Sequence, residues 1–251
     1  MQAIPLPSAF SLDFAEHVRV AGGRGATKKD VFRASEEVVA LACIGAWLTR
    51  AYRRGGRGEL EEHGYVAVKM PSQLAPLYQR IHRAVLALTR KAVVANLGFF
   101  PIVVGVSAAV ALGVARHAGA VKIIARSPIT FEYLRLTKSG SGGLAKAIAK
   151  GADTIEISGI ARMIGRSGAA GSIYILLSKC PQKDYNNYRA FLQILANSLA
   201  MYYYYRQPVY IYHALRMLSS TELQKEGVAL HGAVKWGHLT GRLMNLSRLV
   251  I

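Results

Sequence analysis

The chain has 251 residues, 52% of them apolar and only 18% charged, which excludes a disordered polymer and leaves ample material for a buried core. Lys and Arg number 32 against 14 acids, a formal net charge of +18. A surface so one-sided repels itself unless an anion neutralises it, which argues against a metabolic enzyme working alone and for life on nucleic acid or an anionic membrane surface.

The excess is uneven along the chain. Residues 1–62 hold eight acids and nine Lys or Arg, a net of +1, whereas residues 63–251 hold six acids and 23 bases, a net of +17. The expected organisation is a charge-balanced, helical N-terminal region (1–62) and a basic, helix-rich body (63–251) that forms one continuous domain. No long Pro/Ser linker separates them, and Gly55 to Gly58 is the best candidate for a joint. The first 20 residues carry Asp13 and Glu16 and lack a basic stretch followed by an apolar run, so no secretory signal is expected.

Gly22-Gly23-Arg24-Gly25, with Lys28 and Lys29, is the first basic glycine segment. Glycine lets the backbone approach a phosphate, and arginine offers a bidentate fork. Asp30 can cap a helix running to about Tyr52, with Val31, Ala34, Val38, Leu41 and Leu48 on one apolar face. A second basic glycine segment follows, carrying Arg50, Arg53, Arg54 and Arg57. Residues 65–70 read as a short strand. From Ser72 a helix is predicted, with Leu74, Leu77, Ile81, Val85 and Leu88 on one side and Gln79, Arg80, Arg83 and Arg90 on the other; Lys91 follows.

Residues 92–115 contain no charge and are long enough to span a bilayer. Asn96, Gly98, Pro101, Gly105 and Gly113 break the run, and neither edge carries Trp or Tyr. A buried strand followed by a helix is therefore the expectation, with a membrane anchor as the alternative.

Beyond it, residues 121–126 and 130–136, which include Lys122 and Arg126, read as strands. Residues 139–143 read as a loop, followed by a short basic helix with Lys146 and Lys150 at i,i+4 spacing. Residues 154–158 and 172–178 read as strands. Between them lie Arg162 and the run Gly165-Arg166-Ser167-Gly168. This Gly-x-x-Gly run resembles the backbone clamp of KH domains, which joins two helices. Because residues 173–177 read as a strand, the expectation is a glycine turn between helix and strand. Residues 121–126 and 144–157 resemble pieces of Alba, the archaeal chromatin protein, over a small part of the chain.

Residues 184–206 are helical in pattern until Pro208 breaks them. Shorter helices are predicted over 209–218, after Ser219 with Glu222 as a capping box, and over 239–251. Tyr202-Tyr203-Tyr204-Tyr205 is followed by Arg206, Tyr210 and Tyr212. Four consecutive tyrosines on a helix point round its circumference, so some must meet a protein interface or a ligand. Subunit packing is the expectation, with stacking on unpaired bases as the alternative.

Signatures of catalysis are missing. The chain has no Walker A loop, no Gly-x-Gly-x-x-Gly after a strand, no His-Glu-x-x-His and no Gly-x-Ser-x-Gly. Cys43 and Cys180 make neither a disulfide framework nor a cysteine zinc site, and the seven histidines are scattered. No cofactor is expected. The sequence therefore predicts a mainly α-helical protein with a minor β component, with a small central α+β sheet as the alternative. It predicts a non-enzymatic protein that coats or packages DNA or RNA with low sequence specificity and associates with itself, in a virion or a cytoplasmic nucleoprotein. The predicted contacts are Arg50, Arg53, Arg54, Arg57, Arg80, Arg83, Arg90, Lys91, Lys122, Arg126, Lys146, Lys150, Arg162 and Arg166. The alternatives are a subunit of a larger ribonucleoprotein complex and a protein anchored in a membrane by residues 92–115.

Overall fold

The computed structural model describes residues 4–5, 33–34, 36–55, 61–115, 122–123, 127–139, 146–181 and 184–248. The fold is mainly α-helical with a minor β component. Packing divides the chain into two units, Met1–Ala67 with Glu132–Thr154, and Val68–Phe131 with Ile155–Ile251. The first division falls a few residues beyond the charge boundary, inside a strand.

In the first unit, β1 (Ile4–Pro5) and β2 (Arg33–Ala34) pair antiparallel. Helix α1 (Glu36–Thr49) runs directly into β3 (Arg50–Arg54), which pairs antiparallel with β4 (Glu61–Lys69). The helix expected to reach Tyr52 thus stops at Thr49. Ala51 and Tyr52 are buried in the sheet, and that burial outweighs a weak local helix preference. Strands β5 (Thr130–Ser139) and β6 (Lys146–Glu156) complete a four-stranded sheet in the order β3-β4-β5-β6. Lys146 and Lys150, expected on a helix, begin this edge strand instead. Helix propensity is worth tenths of a kcal/mol per residue, and pairing with β5 overrides it.

A tyrosine pair ties the sheet together. Tyr52 Oη donates to Glu62 Oε1 at 2.6 Å and lies 2.9 Å from Tyr133 Oη. The carboxylate can only accept, so the Tyr52 proton is committed to it and Tyr133 must donate to Tyr52. Gly64 faces Tyr52 across the β3–β4 register, and a Cβ there would lie 1.9 Å from the ring. Glycine at 64 is therefore a condition of the tyrosine's seat.

The second unit is helical. A single 3-10 turn (Ser72–Leu74) leads into α2 (Ala75–Val94), which buries Leu77, Ile81, Val85, Leu88 and Ala92 at helical spacing. Asn96 takes the left-handed conformation that ends α2 (φ 55°). Leu97 N–H bonds to Ala92 O at 2.8 Å and Asn96 N–H to Val93 O at 3.0 Å, the pairing of a Schellman cap. Helix α3 (Phe99–Ala115) follows. The stretch 92–115 is thus the end of one helix, a turn and a second helix; the strand expected there is not formed. Among the described residues no helix is long and apolar enough to cross a membrane.

Helix α3 is buried along nearly its whole length and packs against α2, α4 (Ser158–Arg166), α5 (Ala170–Ser178) and α6 (Asn186–Tyr205). Helices α7 (Val209–Met217), α8 (Thr221–His231) and α9 (Ala233–Arg248) complete the unit. Residues 122–123, expected in a strand, are helical. The N-cap of α8 is Ser220, one residue past the expected Ser219; its Oγ accepts from Leu223 N–H at 3.4 Å.

Helices α6, α8 and α9 meet in an aromatic cluster of Tyr188, Phe191, His231 and Trp236. Gly227 makes room for it, since a Cβ there would lie 2.5 Å from the Trp236 ring. Glu226 reaches across to accept from Tyr188 N–H at 2.6 Å, placing negative charge on the N-terminus of α6. Tyr188 Oη bridges the Leu176 carbonyl (3.2 Å) and His231 Nε2 (2.7 Å). Burial, then Lys179 and Lys235, hold the His231 ring below its usual pKa. The unfolded chain therefore takes up this proton first, and stability present above about pH 6.5 is lost as pH falls below it. Thermal melts from about pH 8 to 5 should show this loss in the native protein and a shallower one in His231→Gln. Equal slopes in the two proteins would remove His231 as the cause.

Candidate functional site

Helix α4 turns Ile160, Ala161 and Ile164 into the core and leaves Arg162, Met163 and Arg166 on its outer side. Its end is the run Gly165-Arg166-Ser167-Gly168. Gly168 adopts a positive φ of 69°, and its N–H bonds to Gly165 O at 3.1 Å. Ser167 Oγ donates to Ile164 O (2.7 Å) and accepts from Ala169 N–H (3.2 Å), so the side chain closes the turn on both sides. The next element is α5, where a strand is expected from sequence. Its buried residues, Ala170, Ser172, Ile173, Leu176 and Leu177, fall at helical spacing, and packing on α3 overrides the β-branched run. The glycine turn therefore joins two helices.

Helix α6 ends in the four tyrosines. Tyr202 and Tyr203 are half-buried, whereas Tyr204 and Tyr205 are 57% and 58% exposed. Arg206 caps the helix in the left-handed region (φ 57°, ψ 22°), its N–H bonded to Tyr202 O at 2.8 Å. Pro208 prevents the helix from continuing. The Arg206 guanidinium carbon lies 5.0 Å from the centre of the Tyr203 ring. The Tyr203 hydroxyl rests over Gly159, where a Cβ would come within 1.9 Å of it. Tyr203 is thus seated by the one residue without a side chain and covered by a planar cation.

These parts enclose an open cleft of about 450 Å³, whose lining includes Gly159, Arg162, Arg166, Tyr202, Tyr203 and Arg206. That volume suits a small ligand or one segment of a polymer. No carboxylate lines it, and among the described residues none forms an ion pair with Arg162, Arg166 or Arg206. Three permanent cations with no counter-charge in a concave wall concentrate a positive field there.

Of the residues predicted from sequence, the cleft brings together Arg162 and Arg166. Arg80, Arg83, Arg90 and Lys91 are exposed on the outer face of α2, spread over about 16 Å. Lys122 is exposed as well. Arg50, Arg53 and Arg54 are exposed on β3, where Arg53 is engaged by Glu61. Lys146 and Lys150 sit on β6, about 13 Å apart along the strand. Arg57 and Arg126 lie outside the described residues, as do the segment 22–29, the Asp30 cap and Gly56 to Gly58. Arg206 is the cleft residue that sequence reasoning left out of the contact set. Its position directly after four tyrosines and two residues before Pro208 is the signal that could have found it.

Other chemistry is sparse. Cys180 is buried, and burial pushes its thiol up to about 11, leaving it protonated and unreactive at neutral pH. Among the described residues no group of three or more His, Cys, Asp or Glu is placed to hold a metal ion. A second cavity of about 320 Å³, lined mainly by apolar side chains of α2, α3 and α5, carries Arg80 as its one cation. Comparison with known proteins finds no matching family model, no similar curated protein and no similar solved structure.

A non-glycine residue in the left-handed region costs about 1–2 kcal/mol, so Arg206 is held at a backbone cost. Arg206→Gly should leave stability unchanged or raise it by up to about 1 kcal/mol, because strain relief offsets the lost ring contact. Denaturant midpoints test this, and a clear loss of stability would make Arg206 a structural cap and nothing more.

Proposed function

We propose that the protein is a non-enzymatic nucleic-acid-binding structural protein that coats or packages its polymer through arginine and lysine contacts to the phosphate backbone. The observation that carries this reading is the cleft in which Arg162, Arg166 and Arg206 stand together without a carboxylate. Buried or stability-driven arginines come paired; unpaired guanidiniums gathered in a concavity suit an incoming oxyanion. The second unit as a whole carries nineteen Lys or Arg against four acids. The row on α2 adds a charged face long enough to follow about five phosphates of one strand. A Gly-x-x-Gly turn between two helices is also how KH modules hold backbone nucleotides.

Self-association is the second part of the proposal. On α1, Leu41, Ile44, Trp47 and Leu48 share one side and are 69%, 54%, 72% and 50% exposed. A contiguous apolar patch containing a tryptophan is what a repeating coat uses between copies.

Titration of labelled polynucleotides at several salt concentrations tests the binding. Affinity should fall steeply with salt, and Arg162→Ala with Arg166→Ala should lower the log–log slope by about one per arginine. A flat salt response would sink the reading. For assembly, Trp47→Glu with Leu41→Glu should shift sedimentation toward a smaller species while nucleic-acid affinity per copy is kept. An unchanged distribution would place the contact elsewhere or nowhere.

A further inference from the structure

We propose that the cleft seats an unpaired base together with its phosphate, so that the polymer bound by this protein is single-stranded. This rests on the nucleic-acid reading above and adds the class of polymer to it. The first observation is shape. A duplex presents a convex backbone with its bases stacked inside, and it can lay phosphates along an outer helix face such as the α2 row. It cannot push a base into a concave wall. A single strand can, because its bases are free to turn out and stack.

The second observation is the Tyr203–Arg206 platform. Gly159 fixes the ring from one side, and the guanidinium lies against the aromatic system at 5.0 Å. Every base has a π face, so a preformed aromatic and guanidinium stack binds bases without reading their identity. The third is Arg206 itself, held in a left-handed conformation that a glycine would take without cost. Such strain persists where the side chain has work that the backbone must serve. The fourth is the pair Arg162 and Arg166, one helical turn apart and lining the same cleft, which suits the phosphate attached to the seated base. Beyond the cleft, Tyr204 and Tyr205 are exposed, and Tyr205 lies 5.7 Å from Tyr210. Neighbouring bases would find further rings in that direction.

The test compares single-stranded and duplex oligonucleotides of equal phosphate count, by fluorescence anisotropy at one salt concentration. The native protein should prefer the single strand by about tenfold or more. Gly159→Ala keeps every charge and forces the Tyr203 ring from its seat; it should weaken single-strand binding about tenfold and leave duplex binding nearly unchanged. Arg206→Gly, in which strain relief is expected to offset the lost ring contact, should remove much of the same preference. Photocrosslinking with an iodinated base should mark the peptide containing residues 202–206. Equal affinity for both polymers, or the same loss of both in Gly159→Ala, would overturn the proposal while salt-dependent binding preserves the broader reading. Binding of neither polymer would overturn both. Displacement of the strand by a free nucleoside monophosphate at equal concentration would assign the cleft to a soluble nucleotide and also overturn it.

Discussion

The second unit depends on one constraint, the burial of α3. Seventeen consecutive residues carry no charge and almost no polar atom, so no side of this helix can face water at low cost. A helix apolar all round has to be enclosed, and α2, α4, α5 and α6 enclose it. Where close approach is needed, α3 supplies small residues: Gly105 sits against Leu177 and Leu88, and Gly113 against Ile81. The lone hydroxyl of its middle stretch, Ser107, is satisfied internally by bonding to Val103 O at 2.8 Å. At roughly 1.5–3 kcal/mol for each fully buried aliphatic side chain, Ile102 and the five buried valines of this helix are a substantial source of cohesion in the unit.

The cleft follows from that enclosure. Helices α4 and α6 have α5 between them in the chain, and both are drawn to α3. Their outward sides then meet over Gly159, whose missing side chain lets Tyr203 close in. The apolar force that assembles the core has no interest in where guanidiniums go. Yet it delivers Arg162 and Arg166 to the same wall as Arg206. Mutual repulsion of three cations works against the fold, and among the described residues no carboxylate lines the cleft to relieve it. A concave wall with this charge favours anions over cations in the cleft.

The sequence makes the helical class, the amphipathic α2 and the Pro208 break readable, because each rests on local spacing or on proline's fixed geometry. It fails where tertiary contacts outvote local preference. Residues 170–178 carry two isoleucines and a tyrosine that favour a strand, yet the surface they cover on α3 demands period 3.6. Lys146-Ala-Ile-Ala-Lys150 has good helix formers and joins a sheet edge, because β5 offers unpaired backbone groups. The same error hides part of the site. Once residues 172–178 are read as a strand, Gly165–Gly168 cannot join two helices. Arg206 stays invisible too, since its importance lies in a backbone angle and a ring contact that no spacing encodes.

The binding proposed above would divide its labour between two kinds of basic surface. The α2 row is open to solvent, and its attraction reaches about a Debye length, roughly 8–10 Å at ordinary salt. Such a field would attract any polyanion, whatever its strandedness or sequence. Under the same proposal the cleft would act only at contact, through stacking and guanidinium–phosphate bonds that need a defined geometry. On that proposal, affinity at a distance and discrimination at contact would rest on different residues of the same unit. A protein built only to be attracted to polyanions would need the first surface alone, and it would have no reason to keep a strained arginine stacked on a tyrosine that only a glycine can accommodate.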